Sequence, residues 1–172
     1  PRLAPLQVVI VPIPTTGDVV DGVANSILDN LKSRGIRAKY DTDDTKRSGF
    51  KFAEYEMRGV PVRIAIGKRD IENNTVEVAR RDTKEKTVIS MNSVVEYVVN
   101  LLEEIQQNLF NRAKQYRDEH ITNVDTFDEF KNVLETKGGF ISAHWDGTPE
   151  TEEAIKDATK ATIRCIPLDN PQ

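Results

Sequence analysis

Residues 49–70, GFKFAEYEMRGVPVRIAIGKRD, set a helix, a stop and a strand in close succession. Phe50 to Arg58 is expected to be a short amphipathic helix, although Phe52, Tyr55 and Met57 are spaced too closely to define one clean face. Gly59 suits a left-handed helix end, and Pro61 forbids continuation. Val62-Arg63-Ile64-Ala65-Ile66 then alternates, with Val62, Ile64 and Ile66 on one face and Arg63 on the other. After Gly67 comes a basic turn, Lys68-Arg69-Asp70. This order predicts that Glu56 on the helix, Arg63 on the strand and the basic pair at the strand end meet on one rim. Such a rim suits a ligand that donates and accepts hydrogen bonds while carrying negative charge. Unpaired RNA bases have that chemistry.

Upstream, Leu6 to Ile13 (LQVVIVPI) is an apolar run bounded by prolines, the pattern of a strand buried on both faces. Gly17 breaks the chain and Asp18 is expected to cap a helix. Val20, Val23, Ala24, Ile27, Leu28 and Leu31 recur on one face of that helix, which Gly35 ends. Ile36, Ala38 and Tyr40 alternate as a second strand, so a parallel β-α-β unit is expected. The polar loop Asp41 to Ser48 (DTDDTKRS) follows at the strand's carboxyl end, where open α/β sheets place ligands.

Downstream, Asn73-Asn74 predicts a turn into the strand Thr75 to Arg80. A charged turn, 80–86, leads to a short strand Thr87 to Ile89. Ser93 is expected to cap a long helix carrying Val94, Val98, Leu101, Leu102, Ile105 and Leu109 on one face. Its pattern turns polar from Asn111 to Glu119. The first domain is placed at 1–108, an α/β unit with a mixed sheet flanked by helices. A small α/β domain, 109–172, follows. In it Asp125 caps a helix that stops at Gly138-Gly139, Phe140 to Trp145 forms a strand, and Thr148 caps a helix with Pro149 at its first position. Thr162 to Leu168 closes as a strand, and 170–172 is expected to fray. About 50 residues fold only marginally alone, so this domain is expected to dock on the first or need a partner.

The 172 residues carry a formal net charge of −4, which argues against nucleic acid until its distribution is read. Arg34 to Lys86 holds 14 Lys/Arg against 10 Asp/Glu, a net of +4, and the remainder holds 10 against 18, a net of −8. A basic patch inside an acidic chain binds RNA through its own surface. No apolar run reaches the roughly 18 residues of a membrane span and no signal-peptide pattern is present, so a cytoplasmic location is expected. The start at Pro1 without methionine suggests an excised or processed piece. One cysteine, Cys165, forms no internal disulfide. A small catalytic α/β enzyme has little support: there is no nucleophile elbow, Gly-rich phosphate loop or His–carboxylate cluster.

FKFAEYEMRGVPVRIAIGKRDIENNTVEVARRD (52–82 with its two leading residues) resembles the anticodon-binding domain of prolyl-tRNA synthetases, class II enzymes. NRAKQYRDEHITNVDTFDEF and GGFISAHWDG with ATIRCIP resemble the additional C-terminal domain of the archaeal/eukaryote-like form. The likeness spans essentially the whole chain, and PRLAPLQVVIVPI resembles the junction leaving a catalytic domain. It implies a parent enzyme, expected to be a homodimer, that activates proline with ATP and Mg2+ and transfers it to tRNA. No class II catalytic motif is visible, so this part alone is expected to be inactive and to need no cofactor. Its partners would be proline tRNA and the upstream catalytic domain.

By position within the matching motif, Glu56 is the expected base-reading carboxylate, since the anticodon of proline tRNA carries two guanines. A carboxylate accepts from guanine N1–H and N2–H2, and Arg or Lys donates to O6 and N7. Arg63 is expected to read a guanine or to orient Glu56. Lys68 and Arg69 are expected at a base edge or phosphate, Lys84 and Lys86 at phosphates, and Phe52 under a stacked base or in the core. Some relatives hold zinc in the second domain with four cysteines. Here Trp145 and Glu150 stand at the first pair, and no CxxC follows Cys165, so no metal is expected. Cys165 is expected to be a buried structural thiol. The far C-terminus is expected to be truncated. The alternative is a stand-alone synthetase-like interaction or regulatory module that keeps the fold without reading RNA.

Overall fold

In the computed structural model the described residues are 1–13 and 18–168, without the side chain of Asp18. The break at Gly17, the cap at Asp18 and the frayed end at 170–172 lie outside them. The chain divides into two units, Pro1–Asn111 and Arg112–Gln172.

The first unit is built on a five-stranded sheet. Its strands are β1 (Val8–Ile13), β2 (Ala38–Tyr40), β3 (Val62–Gly67), β4 (Thr75–Arg80) and β5 (Lys86–Ser90), in spatial order β2-β1-β3-β4-β5. β1 runs parallel to β2 and β3, as βαβ crossovers require, and β4 and β5 are antiparallel additions. The second strand is shorter than the alternation suggested, because Ile36 belongs to the turn after Gly35, its N–H donating to Leu31 O at 3.1 Å.

Alternation along β1 divides the core. Val8 and Ile10 face α1 (Asp18–Ser33) and the first half of α4 (Val94–Glu119), where Val20, Ala24, Leu31, Val98, Leu101 and Ile105 are buried. Val9 and Val11 face α2 (Ser48–Met57), where Tyr55 is buried and Phe52 packs at the edge. Both faces of β1 are thus covered, which is why its sequence is a solid apolar run. Gly59 follows α2 at φ +78° and turns the chain into β3. α2 begins at Ser48, two residues before the expected Phe50, because Arg47 O accepts from the N–H groups of Phe50 and Lys51.

α4 enters through a 3-10 turn, Met91–Ser93, whose N-cap is Ser90 rather than Ser93. The Ser90 hydroxyl accepts from Asn92 N, and the Ser93 hydroxyl donates back to Ser90 O at 3.1 Å. The expected apolar face is buried from Val94 to Ile105, but Leu109 is 43% exposed.

In the second unit, β6 (Ile121–Asn123) and β7 (Phe140–Ser142) pair in parallel around α5 (Phe127–Thr136), and α6 (Pro149–Thr159) follows. β6 was not expected. The α5 cap is Thr126, one residue after the expected Asp125: Thr126 and Glu129 form a reciprocal capping box, and Asp125 only donates its N–H to Glu129. Thr148 caps α6 as expected, with Pro149 at the first position. The strand expected over Phe140 to Trp145 stops at Ser142. Asp146 gathers Thr148 N and the hydroxyls of Thr148 and Thr151, turning the chain into α6. The closing strand expected over Thr162 to Leu168 does not form, residues 161–167 having no regular structure. Cys165 is correspondingly exposed, not buried.

Candidate nucleic-acid interface

α2 runs antiparallel to the parallel strands, so its C-terminal turn sits beside the start of β3 and the β4–β5 turn. Glu56 lies four residues after Phe52 and therefore on the same side of the helix. Its carboxylate, 46% exposed, pairs with the Lys84 ammonium. Lys84 reaches it because the turn 81–85 is tight: Arg80 N donates to Glu85 O at 3.0 Å and Lys84 itself takes φ +67°. Arg81 adds a second tie. Its Nε donates to Glu56 O at 2.8 Å, and its backbone N–H donates to Pro61 O at 2.9 Å. Glu56 is thus held by the β4–β5 turn, not by Arg63.

Arg63 has other partners. Its guanidinium lies 3.5 Å from the centre of the Phe52 ring, and Nη2 donates to Glu77 Oε1 at 3.2 Å. The register explains the pair: Ala65 opposes Glu77 and Arg63 opposes Ala79, so Arg63 and Glu77 are diagonal neighbours on the α2 face. The Arg63 side chain is 15% exposed and its Nε is buried without a partner. Burial pulls its pKa below the usual guanidinium value, with Glu77 opposing the shift. Lys86 Nζ stands 3.7 Å from the same Glu77 oxygen. One face of Phe52 is therefore already occupied by Arg63, and Glu77 bridges two of the expected basic residues.

Lys68 and Arg69 lie at the opposite end of β3. Four residue steps separate Arg63 from Gly67, about 13 Å along a strand. The expected basic turn is a one-turn helix, α3 (Lys68–Glu72), with Asp70 Oδ2 accepting from Gly67 N at 2.7 Å. Both basic side chains are exposed, and among the described residues neither pairs with a carboxylate. The single rim expected from the sequence is two groups: Glu56, Lys84 and Arg81 at one end, Lys68 and Arg69 at the other, with Arg63 and Phe52 nearer the first.

At the carboxyl end of β2 the sequence concealed a buried ion pair. Lys51 is 3% and Asp41 5% exposed, and Lys51 Nζ lies 3.3 Å from both Asp41 Oδ1 and Asp41 O. The pair ties the N-terminal turn of α2 to the loop at 41–47, which Asp43 also tightens by accepting from Thr45 N and Oγ1.

Sequence reasoning missed Arg81, Glu77 and Lys51. For Glu77 a signal existed: the alternation of TVEVAR, laid antiparallel on β3, puts it on the face of Arg63. Among the described residues there is no group of three metal-ligating side chains, and no helix is long and apolar enough to cross a membrane.

Residues 7–101, which include β1 to β5, α2 and the Glu56–Lys84 pair, match the family model described as the anticodon binding domain. The chain belongs to the anticodon-binding-domain family. Residues 127–172 match the prolyl-tRNA synthetase C-terminal model. Over 175 residues the chain is 56% identical to a proline–tRNA ligase of Christiangramia forsetii, covering 100% of this chain and 36% of that protein. It is 57% identical to the enzyme of Phocaeicola vulgatus, covering 98% of this chain and 34% of that protein. The chain thus spans about a third of the length of the curated relatives it matches. Among solved structures it resembles prolyl-tRNA synthetase from Cryptosporidium parvum complexed with L-proline and AMP. There the TM-score is 0.90 at 35% identity, over 98% of this chain and 37% of that one. The mixed sheet with flanking helices is therefore the anticodon-binding fold of this family.

Proposed function

We propose that this chain is the tRNA-reading part of a proline–tRNA ligase and that the Glu56–Lys84 pair recognises a guanine of the proline anticodon. The observation that carries this reading is the pair itself, an acceptor and a donor side by side on a half-exposed edge. Guanine's Watson–Crick edge presents N1–H and N2–H2 donors beside the O6 acceptor. A carboxylate and an ammonium in contact offer the complementary set, and an unpaired anticodon base exposes that edge. Arg81 fixes the helix end beneath the pair. Lys86 and Arg63, both paired with Glu77, lie along the sheet beside this edge. Lys68 and Arg69, at the far end, are assigned to phosphates.

In such an enzyme a catalytic domain joined to this chain would activate proline with ATP and Mg2+, in a cytoplasmic homodimer. No step of that chemistry is assigned to residues of this chain. The family match supports the tRNA assignment, and the geometry supports the choice of Glu56.

The test is binding of proline tRNA to the wild-type chain and to Glu56→Ala across a salt series. A loss of about 1–3 kcal/mol in the variant, persisting at higher salt, supports base reading by Glu56. Equal binding that falls with salt for both proteins would indicate phosphate attraction alone and favour the interaction-module alternative.

A further inference from the structure

The turn that carries Lys84 and Arg81 is anchored from behind by a network the base-reading account does not use. Asp82 accepts two hydrogen bonds from Arg80, from Nε at 2.8 Å and from Nη2 at 2.7 Å. It accepts a third from Asn108 Nδ2 on α4, at 2.6 Å. Arg80 is itself steadied by Glu104, 3.5 Å from Nη1 and one turn before Asn108. The Asp82 side chain is 2% exposed, so these bonds are sheltered from water although the turn around them is at the surface. Three charge-assisted bonds on one carboxylate are more than a short hairpin turn needs to close. Two of them bind the turn to its own strand, and the third binds it to α4.

We propose that Asp82 is a positioning residue for anticodon recognition, holding the β4–β5 turn so that Lys84 and Arg81 stay registered on Glu56. The proposal rests on the assignment of Glu56 made above and adds the device that keeps the pair in place. The arrangement follows from adjacency. Arg81 and Lys84 flank Asp82 in a turn whose ends are fixed by the Arg80–Glu85 and Arg81–Pro61 hydrogen bonds. If the Asp82 carboxylate is released from Arg80 and Asn108, the turn keeps its covalent path and its Arg81 tie to α2 but loses the brace that holds it to its own strand and to α4. Lys84 is then free to leave Glu56, and a base meets an unorganised edge. Preorganised donors cost nothing to order at the moment of binding, whereas mobile ones do.

The experiment uses the whole chain with proline tRNA and with the same tRNA carrying both anticodon guanines changed to adenine. Discrimination, the ratio of the two affinities, is measured for wild type, Glu56→Ala, Asp82→Asn, Asn108→Ala and the double variant Glu56→Ala/Asp82→Asn. The proposal expects Asp82→Asn and Asn108→Ala each to lower discrimination about tenfold and threefold. Affinity for the adenine-substituted tRNA should stay within about twofold, and Asp82→Asn should add nothing in the Glu56→Ala background. Amide exchange at Arg81 should quicken in Asp82→Asn, reporting the loosened turn without RNA. A general loss of folding would instead weaken binding to both tRNAs alike. Should Asp82→Asn fail to fold, Asn108→Ala, which removes one neutral donor at the surface of α4, decides alone. If Glu56→Ala loses discrimination while folded Asp82→Asn and Asn108→Ala keep it, the positioning role is overturned and the Glu56 assignment stands. If Glu56→Ala keeps discrimination, both are overturned.

Discussion

The guanidinium of Arg63 lies over the ring of Phe52, 3.5 Å from its centre, with Glu77 accepting a hydrogen bond from its Nη2. This contact couples α2 to the centre of the sheet through a charged residue where the opposite face uses aliphatic ones. It is tolerable because the cation meets a π-face and a carboxylate together, so burial of the guanidinium is offset on two sides.

Arg63→Ala should therefore lower stability to urea by about 2 kcal/mol, from lost stacking and packing and the loss of the nearer of Glu77's two cationic partners. Arg63→Lys should recover less than half of that, because an ammonium keeps the charge but not the planar stack. Recovery of full stability by lysine would show that only the Glu77 ion pair matters.

Lys51 and Asp41 make a harsher case. Removing one partner leaves a charge in a site that water does not reach, and Asp41→Ala should cost about 3–5 kcal/mol in urea unfolding. Lys51→Met, which removes the ammonium and leaves a carboxylate nearer the loop, should cost less. A change below about 1 kcal/mol in Asp41→Ala would mean that the pair is hydrated in solution.

The fold was legible where burial is continuous or periodic. The solid run of β1, the stripe of α1 and the first three turns of α4 are patterned by water exclusion alone, and the sequence carries that pattern openly. Single polar residues were harder. Lys51 reads as a solvated helix charge, because nothing local shows that its side chain turns inward to Asp41. Ser93 reads as a cap, since the 3-10 turn that moves the cap back to Ser90 is a decision of the β5–α4 junction. The segment 162–168 alternates like a strand, yet an extended run becomes one only if a neighbour offers a ladder. At the candidate site, Glu56 is a candidate through resemblance alone, and the contact expected between it and Arg63 does not form: the order of elements brings Arg63 close in sequence, while strand register gives it to Glu77 and gives Glu56 to Lys84.

Asp82 makes stability depend on acid. Hydrogen bonds from Arg80 hold its carboxyl below the usual 3.8, at about 2. The folded pKa is depressed, so the contribution is complete above pH 3.8 and is lost as pH falls toward 2. Asp82→Asn should remove about 1–2 kcal/mol at pH 6, and the gap to wild type should shrink between pH 4 and 2. A gap that is constant across that range would mean the carboxylate is not ionised preferentially in the folded state.

Gly67 tests the packing of β3 against β1. A Cβ built there would lie 2.5 Å from Ile13 O, a backbone atom that cannot step aside without spreading the strands. Gly67→Ala should cost about 1–3 kcal/mol in thermal or urea unfolding and should disturb the Lys68–Arg69 helix that follows. Unchanged stability would show that the strand end yields freely.

The most direct test of the central claim is titration of this chain with the anticodon stem-loop of proline tRNA, at two salt concentrations. A matched hairpin with both guanines replaced by adenine serves as the comparison. The account predicts that the guanine hairpin binds at least tenfold more tightly, and that the ratio survives a rise in salt that weakens both, since base contacts do not depend on counterion release. Equal affinity for the two hairpins at both salt concentrations would contradict it.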